Sequence, residues 1–398
     1  MTILSRKPAV LIAGLVSMAL ALTGCSSGES GESGGGGAGG GKEINIGIAT
    51  AMTGASAVYG DMIVKGAQLA ADEINAEGGL SGHTLKVIVE DHATNPDKAV
   101  TAVQKLLSVD KVNYILTSFT APTLALRPLA CEREVPMLNG GAIGADLIGK
   151  ECLYNTVANS VTMYPRLLEY ATKQFSAKKI ATVFWNDAAG NAINDKVKET
   201  CGSLGCEVVA EEPHELGATD LSVQMARVKA ANPDLIVIGS YGDDTGYIIS
   251  AARRIGMKAP IVGNDFTPNA LKIAGNEAME GYVAILDRFD TGLDDPDTKA
   301  FDAAYQKKYN EAPTNFAANY YEHVRYILAD AVKTAVDQGQ DPTETGVLRK
   351  AIDKMIADKH EFTSLYGDKM VLNSDGTVDK PVGLYTVGDG KLDRIQET

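Results

Sequence analysis

Residues 43–91, EINIGIATAMTGASAVYGDMIVKGAQLAADEINAEGGLSGHTLKVIVED, decide the fold. Ile44, Ile46 and Ile48 alternate as one face of a strand does. Asp61 to Ala76 then sets Met62, Ala67, Ala70, Ala71 and Ile74 on a helical stripe, which Gly78-Gly79 stops. Leu85, Val87 and Val89 begin a second strand. Strands separated by helices form βαβ units, hence a mostly parallel sheet covered on both faces.

The alternation continues outward. A helix around Asp97 to Leu107, a strand Tyr114 to Leu116, a helix around Leu124 to Glu132 and a short run at Met137-Leu138 follow. After Thr156 to Ser160 the programme restarts. Ile180 to Phe184, Val208-Val209, Leu235 to Ile238 and Ile261-Val262 read as strands; Asn191 to Cys201, Leu221 to Ala230, Tyr247 to Ile255 and Pro268 to Ile273 read as helices. Asp220 and the pair Asp243-Asp244 are expected to cap two of these helices. Beyond Asp287 come long helices near Thr298 to Tyr309 and Phe316 to Gln338. A β-rich tail follows, with Asn373-Ser374-Asp375-Gly376 as a turn between Lys369 to Leu372 and Gly383 to Val387.

The first lobe lacks enough helix to finish its packing, so the helices after Asp287 are expected to return to it. The fold class is therefore α/β: two doubly wound parallel-sheet lobes joined by a multi-strand hinge, with a ligand cleft between them. Lobe 1 is expected to comprise 43–157 plus 287–366, and lobe 2 158–286 plus 367–398. Ligand sites of open α/β sheets form beyond the carboxyl ends of the strands. The loops that matter are thus Ala49 to Gly60, Thr117 to Thr123, Asn139 to Gly144, Trp185 to Gly190, Ser240 to Asp244 and Asn264 to Thr267.

Residues 1–24 read as a signal peptide. Arg6 and Lys7 form its charged start, and Pro8 to Leu22 form an apolar run too short for a transmembrane helix. Leu22-Thr23-Gly24-Cys25 resembles the lipobox of bacterial lipoproteins, in which the cysteine is acylated and becomes the first residue of the mature chain. Acyl chains contribute about 0.8 kcal/mol per buried CH2, so Cys25 would anchor the protein to the outer face of the cell membrane. Residues 25–42 are nearly all Gly, Ser and Glu and read as a flexible tether. Within it, Gly31 to Gly35 fits a nucleophile-elbow pattern and Gly36 to Lys42 nearly fits a phosphate loop, but neither follows a strand.

A hydrophobic share of 45% with 22% charged residues is that of a globular protein, and a net charge of -14 argues against nucleic acid as partner. Cys131, Cys152, Cys201 and Cys206 remain once Cys25 is committed to lipid. An even number in an exported chain suggests two disulfides, and spacing favours Cys131 with Cys152 and Cys201 with Cys206 among three pairings. No histidine sits at ligand spacing from a cysteine pair, so no metal is expected.

Ile46-Gly47-Ile48-Ala49, Met52-Thr53-Gly54, Tyr59-Gly60-Asp61, Gly66-Ala67, Leu69-Ala70, Asp72-Glu73-Ile74-Asn75 and Gly78-Gly79, in this order, resemble the opening of type I periplasmic binding proteins. The nearest branch is the leucine/isoleucine/valine-binding group of ABC-importer receptors. The resemblance continues through Asp91, Asn95-Pro96, Ala99-Val100, Leu124-Ala125, Val135-Pro136, Pro233-Asp234 and Ala251-Ala252. It implies a receptor that closes two lobes around a small solute and hands it to a membrane permease.

The resemblance also implies the site. Tyr59 and Tyr241 match family tyrosines on the cleft, and Asp265 stands where the family usually has an ammonium-binding glutamate. Ala121 falls where a serine is usual, Ile143 where a threonine is usual and Ala189 where a tyrosine often lies. Those departures remove hydroxyl donors from a carboxylate ligand and open space; Thr120, Asn139 and the backbone of Gly141 and Ala142 are the candidates to compensate. Phe119 and Trp185 serve either as stacking surfaces or as strand-end packing, and Asp265 either binds ligand or caps the helix near Pro268.

A secreted enzyme is the rival class, but no HExxH motif and no Cys/His constellation supports it. A sensory subunit of the same fold would use the same cleft. The expected protein is thus a monomeric solute receptor without cofactor. Its partners are a small molecule, with branched-chain or other amino acids foremost and amides or aromatic acids next, a permease, and the membrane through the lipid.

Overall fold

The structure is a computed structural model that describes residues 42–396. Residues 1–41, which hold the expected signal peptide, Cys25 and the expected tether, lie outside the described residues. Among the described residues no helix is long and apolar enough to cross a membrane.

The first sheet is built from β1 (Glu43–Thr50), β2 (Thr84–Asp91), β3 (Tyr114–Thr117), β4 (Met137–Asn139) and β5 (Leu153–Asn155), in the order β2-β1-β3-β4-β5, all parallel. Helices α1 (Ala57–Ala76), α2 (Pro96–Ser108) and α3 (Thr120–Glu132) make the crossovers. Strand alternation divides its side chains between two cores. Ile44, Ile46 and Ile48 enter one with α1, while Ala49, Ile115 and Met137 enter the other with α2 and α3. Each fully buried isoleucine contributes about 1.5–3 kcal/mol.

The second lobe opens with α4 (Ser160–Phe175) and β6 (Lys179–Trp185), then α5 (Ala188–Leu204), β7 (Glu207–His214), α6 (Ser222–Ala231), β8 (Leu235–Gly239), α7 (Asp243–Arg254) and β9 (Ile261–Gly263). Two short helices, α8 (Pro268–Ala274) and α9 (Asn276–Met279), lead to β10 (Val283–Asp287). Here too the strands feed two faces: Ile236 and Ile238 pack with α7, Leu235 and Val237 with α4. Helix α4 has no counterpart among the elements expected from sequence. Its signal was present in the cap Asn159, which accepts from Thr162 N, and in the stripe Met163, Tyr164, Leu167, Leu168 and Ala171.

After β10 the chain returns to the first lobe through α10 (Pro296–Tyr309), α11 (Asn315–Glu322), a π-helical turn (His323–Leu328), α12 (Ala329–Asp337) and α13 (Val347–Ala357). Phe301, Tyr320, Val324, Val332 and Ile352 share the core of Ile46 and Leu116. Helices α1 and α11 meet closely at Gly66, where an added Cβ would stand 2.1 Å from Ala317 O.

The tail departs from expectation. Segment 367–378 packs on the first lobe, not the second. Strands β11 (Glu361–Phe362) and β12 (Met370–Val371) pair with each other, and Met370, Leu372 and Val378 enter the first lobe's core. Asn155 N donates to Gly376 O at 2.6 Å, which fastens the Asn373–Gly376 turn beside β5. The tail crosses back to the second lobe at Lys380-Pro381; β13 (Val382–Gly388) then joins β10 antiparallel and β14 (Lys391–Arg394) closes the sheet β14-β13-β10-β9-β8-β6-β7. Two cystines form, Cys131–Cys152 with Cα atoms 5.5 Å apart and Cys201–Cys206 at 4.8 Å.

Candidate ligand-binding site

A parallel sheet sends the loops after its strands to one edge, and here both sheets turn that edge toward one cavity. From the first lobe come Tyr59 in α1, Phe119, Thr120 and Ala121 after β3, and Gly141, Ala142 and Ile143 after β4. From the second come Trp185 at the end of β6, Ala189 in α5, Tyr241 after β8 and Asp265 after β9. The cavity encloses about 800 Å³ of empty space, its open mouth included.

Asn139, expected on the wall, lies behind it. Its Oδ1 accepts from Gly141 N at 3.2 Å and Ala142 N at 2.7 Å, and its Nδ2 donates to Ala142 O and Asn155 Oδ1. Every polar atom of this side chain is spent on shaping the loop. Tyr320 ties that loop to its neighbour: its hydroxyl donates to Thr117 O at 2.5 Å and accepts from Gly140 N.

The two lobes meet at the cavity. Gly242 has φ 62° and sits so close that an added Cβ would be 3.3 Å from Tyr59 Cε2, so this crossing requires glycine. Asp265 is 1% exposed and accepts from Gly242 N at 2.7 Å. It does not cap the helix after it, because Thr267 does so by accepting from Ala270 N. Burial pushes the Asp265 carboxyl up to about 6, against the pull of the Tyr59 hydroxyl and the Gly242 and Phe266 amides. Among the described residues the buried Tyr59 hydroxyl finds no partner in hydrogen-bond geometry.

Phe119 occupies φ 68°, ψ 129°, a conformation unfavourable for a side chain of its size. It places the ring between Tyr59 at 6.0 Å and His92 at 5.8 Å, both edge to face. It also starts α3 directly at the cavity. No side chain caps that helix, and Thr123 N is the amide that returns to Phe119 O, so the Thr120 and Ala121 amides stand at a positive helix end on the wall.

Among the described residues three carboxylates, Asp187, Asp265 and Asp287, line the cavity, and no lysine, arginine or histidine does. Asp187 caps α5 by accepting from Gly190 N at 2.7 Å, and burial raises its pKa. Asp287 accepts from Ala158 N and Asn319 Nδ2; burial raises it too, against the pull of Lys380. Asp287, Met163, Asn315 and Phe316 were missed from sequence. They reach the cavity from the hinge, from the unrecognised α4 and from the returning α11, and Phe316 packs on Tyr59 at 5.0 Å between ring centroids. Asp244 corrects another expectation: α7 begins beside Gly242, and Asp244 turns inward to Trp185 instead of capping.

The family described as Periplasmic binding protein matches residues 43–391. A Leu/Ile/Val-binding protein of Rhizobium johnstonii is 28% identical over 320 residues, covering 76% of this chain and 86% of that protein. The branched-chain amino acid transporter substrate binding protein of Streptococcus pneumoniae, solved with isoleucine, has a TM-score of 0.79 at 26% identity, covering 89% of this chain and 99% of its own. A solute binding protein of an ABC transporter from R. palustris, solved with benzoate, shares the fold with a TM-score of 0.77 at 20% identity, over 89% of this chain and 95% of its own. The chain belongs to the type I periplasmic binding proteins of the Leu/Ile/Val-binding family, and it is a solute-binding protein of the ABC-transport class, not an enzyme.

Proposed function

We propose that this protein captures an amino acid with an apolar side chain and delivers it to the permease of an ABC importer, held at the outer face of the cell membrane by a lipidated Cys25. The observation that carries the ligand class is the charge layout of the cavity. A positive helix end at Thr120 and Ala121 suits a carboxylate, the unneutralised Asp265 suits an ammonium, and Ile63, Phe119, Ile143, Trp185 and Phe316 suit an apolar side chain. Benzoate, bound by the R. palustris protein, carries no cation to offset Asp265. The Rhizobium relative is named for leucine, isoleucine and valine, and the pneumococcal structure holds isoleucine.

Capture proceeds by hinge closure: contacts from the second lobe favour the closed state by the ligand's differential affinity for it. A Kd near 1 μM corresponds to about 8 kcal/mol, within reach of a few charged hydrogen bonds plus aromatic contact. The test is calorimetric titration of the purified protein with isoleucine, leucine, valine and phenylalanine against benzoate and 4-hydroxybenzoate. Binding of the aromatic acids alone would overturn the ligand class. Anchoring is tested separately, since Cys25→Ser should release the protein from the membrane fraction.

A further inference from the structure

Trp185 is the chain's one tryptophan. It forms part of the cavity wall, edge to face with Tyr241 at 4.6 Å between centroids. Its polar atom is engaged by a residue outside the cavity lining: Nε1 donates to Asp244 Oδ2 at 2.7 Å. The same oxygen accepts from Gly217 N at 3.0 Å. Gly217 belongs to the turn after β7 that reaches the other lobe, and an added Cβ there would stand 3.5 Å from Ala55 Cβ. One carboxylate oxygen thus holds both the aromatic wall and a turn at the seam between lobes.

A carboxylate in this place costs stability. Asp244 is 1% exposed and its Oδ1 has no hydrogen-bond partner among the described residues. His214 stands 3.9 Å from Oδ2 with its own nitrogens engaged, Nδ1 with Glu215 O and Nε2 with Ser240 Oγ. Its side chain makes no cap bond at the start of α7, where Asp243 also supplies a first-turn charge to the helix dipole. What the charge supplies is strength in the two bonds to Trp185 and Gly217, since charge-assisted bonds are about twice as strong as neutral ones.

We propose that Asp244 is a positioning residue for ligand capture, fixing the Trp185 face of the cavity and the Gly217 turn that meets the first lobe when the cleft closes. The proposal rests on the reading of this cavity as the ligand site.

The experiment uses the intact protein and the variants Asp244→Asn and Asp244→Ala, read by acrylamide quenching of the sole tryptophan and by titration with L-isoleucine. Losing the charge should weaken isoleucine binding about two- to tenfold in Asp244→Asn, and losing both bonds about ten- to a hundredfold in Asp244→Ala, chiefly through faster release. Quenching should rise in the same order. Ile249→Val, a truncation of the buried face of the same helix, should move neither reading. Wild-type quenching in Asp244→Asn, or an equal effect from Ile249→Val, overturns the proposal, and should Asp244→Ala not fold, Asp244→Asn decides it. If the wild type ignores isoleucine, the proposed ligand fails while the quenching series still decides whether Asp244 positions the indole.

Discussion

Tyr59 and Asp265 face each other from opposite lobes, and the carboxylate of the second is the leading charge acting on the buried hydroxyl of the first. Both residues line the cavity and both are buried. Because the Asp265 carboxyl is pushed up to about 6 by burial, the free protein holds a proton there below that pH. An ammonium ligand needs the ionised form, so affinity for isoleucine should fall about tenfold per pH unit below about 6 and level off above it. Titrations at pH 5 and pH 7.5 check this, and equal affinities would remove Asp265 as the ammonium partner.

The same shift has a stability consequence. The folded value of about 6 lies above the ordinary 3.8, so the contribution of this group is fully present below 3.8 and is lost as pH rises through about 6. At pH 7 the ionised carboxylate therefore costs the unliganded protein about 3 kcal/mol. Asp265→Asn should unfold at higher urea than wild type at pH 7, with the gain gone at pH 4, while isoleucine binding is lost. A destabilised Asp265→Asn at pH 7 contradicts the assignment.

Ala121 and Ile143 stand on the cavity wall, and a hydroxyl at either would add a donor for the proposed carboxylate. A hydrogen bond to a charged group is worth about 1.5–3 kcal/mol, so Ala121→Ser or Ile143→Thr should tighten isoleucine binding about tenfold. Ile143 also packs in the second lobe's core beside Val157 and Met163, and its replacement should lower the melting temperature. Calorimetry separates the two effects; unchanged affinity in both variants places the carboxylate elsewhere.

Most of the fold was legible because each βα unit announces itself locally: alternating Ile44, Ile46 and Ile48, a stripe, a glycine stop. The site loops followed from topology alone, since parallel strands fix which ends gather. Long-range pairing was not legible. Nothing near Gly376 says that its carbonyl meets Asn155, so segment 367–378 was given to the wrong lobe, while β13 and β14 do join the second lobe's sheet. Asp244 looked like a cap because it begins a helix, and only the tertiary fold brings the Trp185 indole to it. Asp287 ends a strand like many acids, and its place on the cavity wall depends on the hinge.

The cystines differ in the loops they close. Cys131–Cys152 spans 21 residues of sequence and Cys201–Cys206 spans 5. Chain entropy alone gives about 3 kcal/mol for the first and about 2 kcal/mol for the second. Paired Cys→Ser variants unfolded in urea should show that order, with Cys131/Cys152 the costlier loss. The reverse order would mean that native-state packing, not the denatured chain, sets their value.

Each of the three crossings between lobes contributes to one buried polar cluster: Ala158, Asp287 and Lys380. Asp287 accepts from Ala158 N and Asn319 Nδ2, while Lys380 Nζ lies 2.8 Å from Glu322 Oε2 and 3.6 Å above the Tyr366 ring. Glu322 Oε1 also takes Ser364 Oγ and Leu365 N. The Lys380 and Glu322 side chains are 2% and 0% exposed, so removing one partner leaves the other charged and unpaired. Lys380→Met should cost about 3–5 kcal/mol by urea unfolding, and Glu322→Gln should cost less than that when Lys380→Met is already present. Strict additivity of the two would mean that the ions are solvated in the folded protein and that the hinge is held by its hydrogen bonds alone.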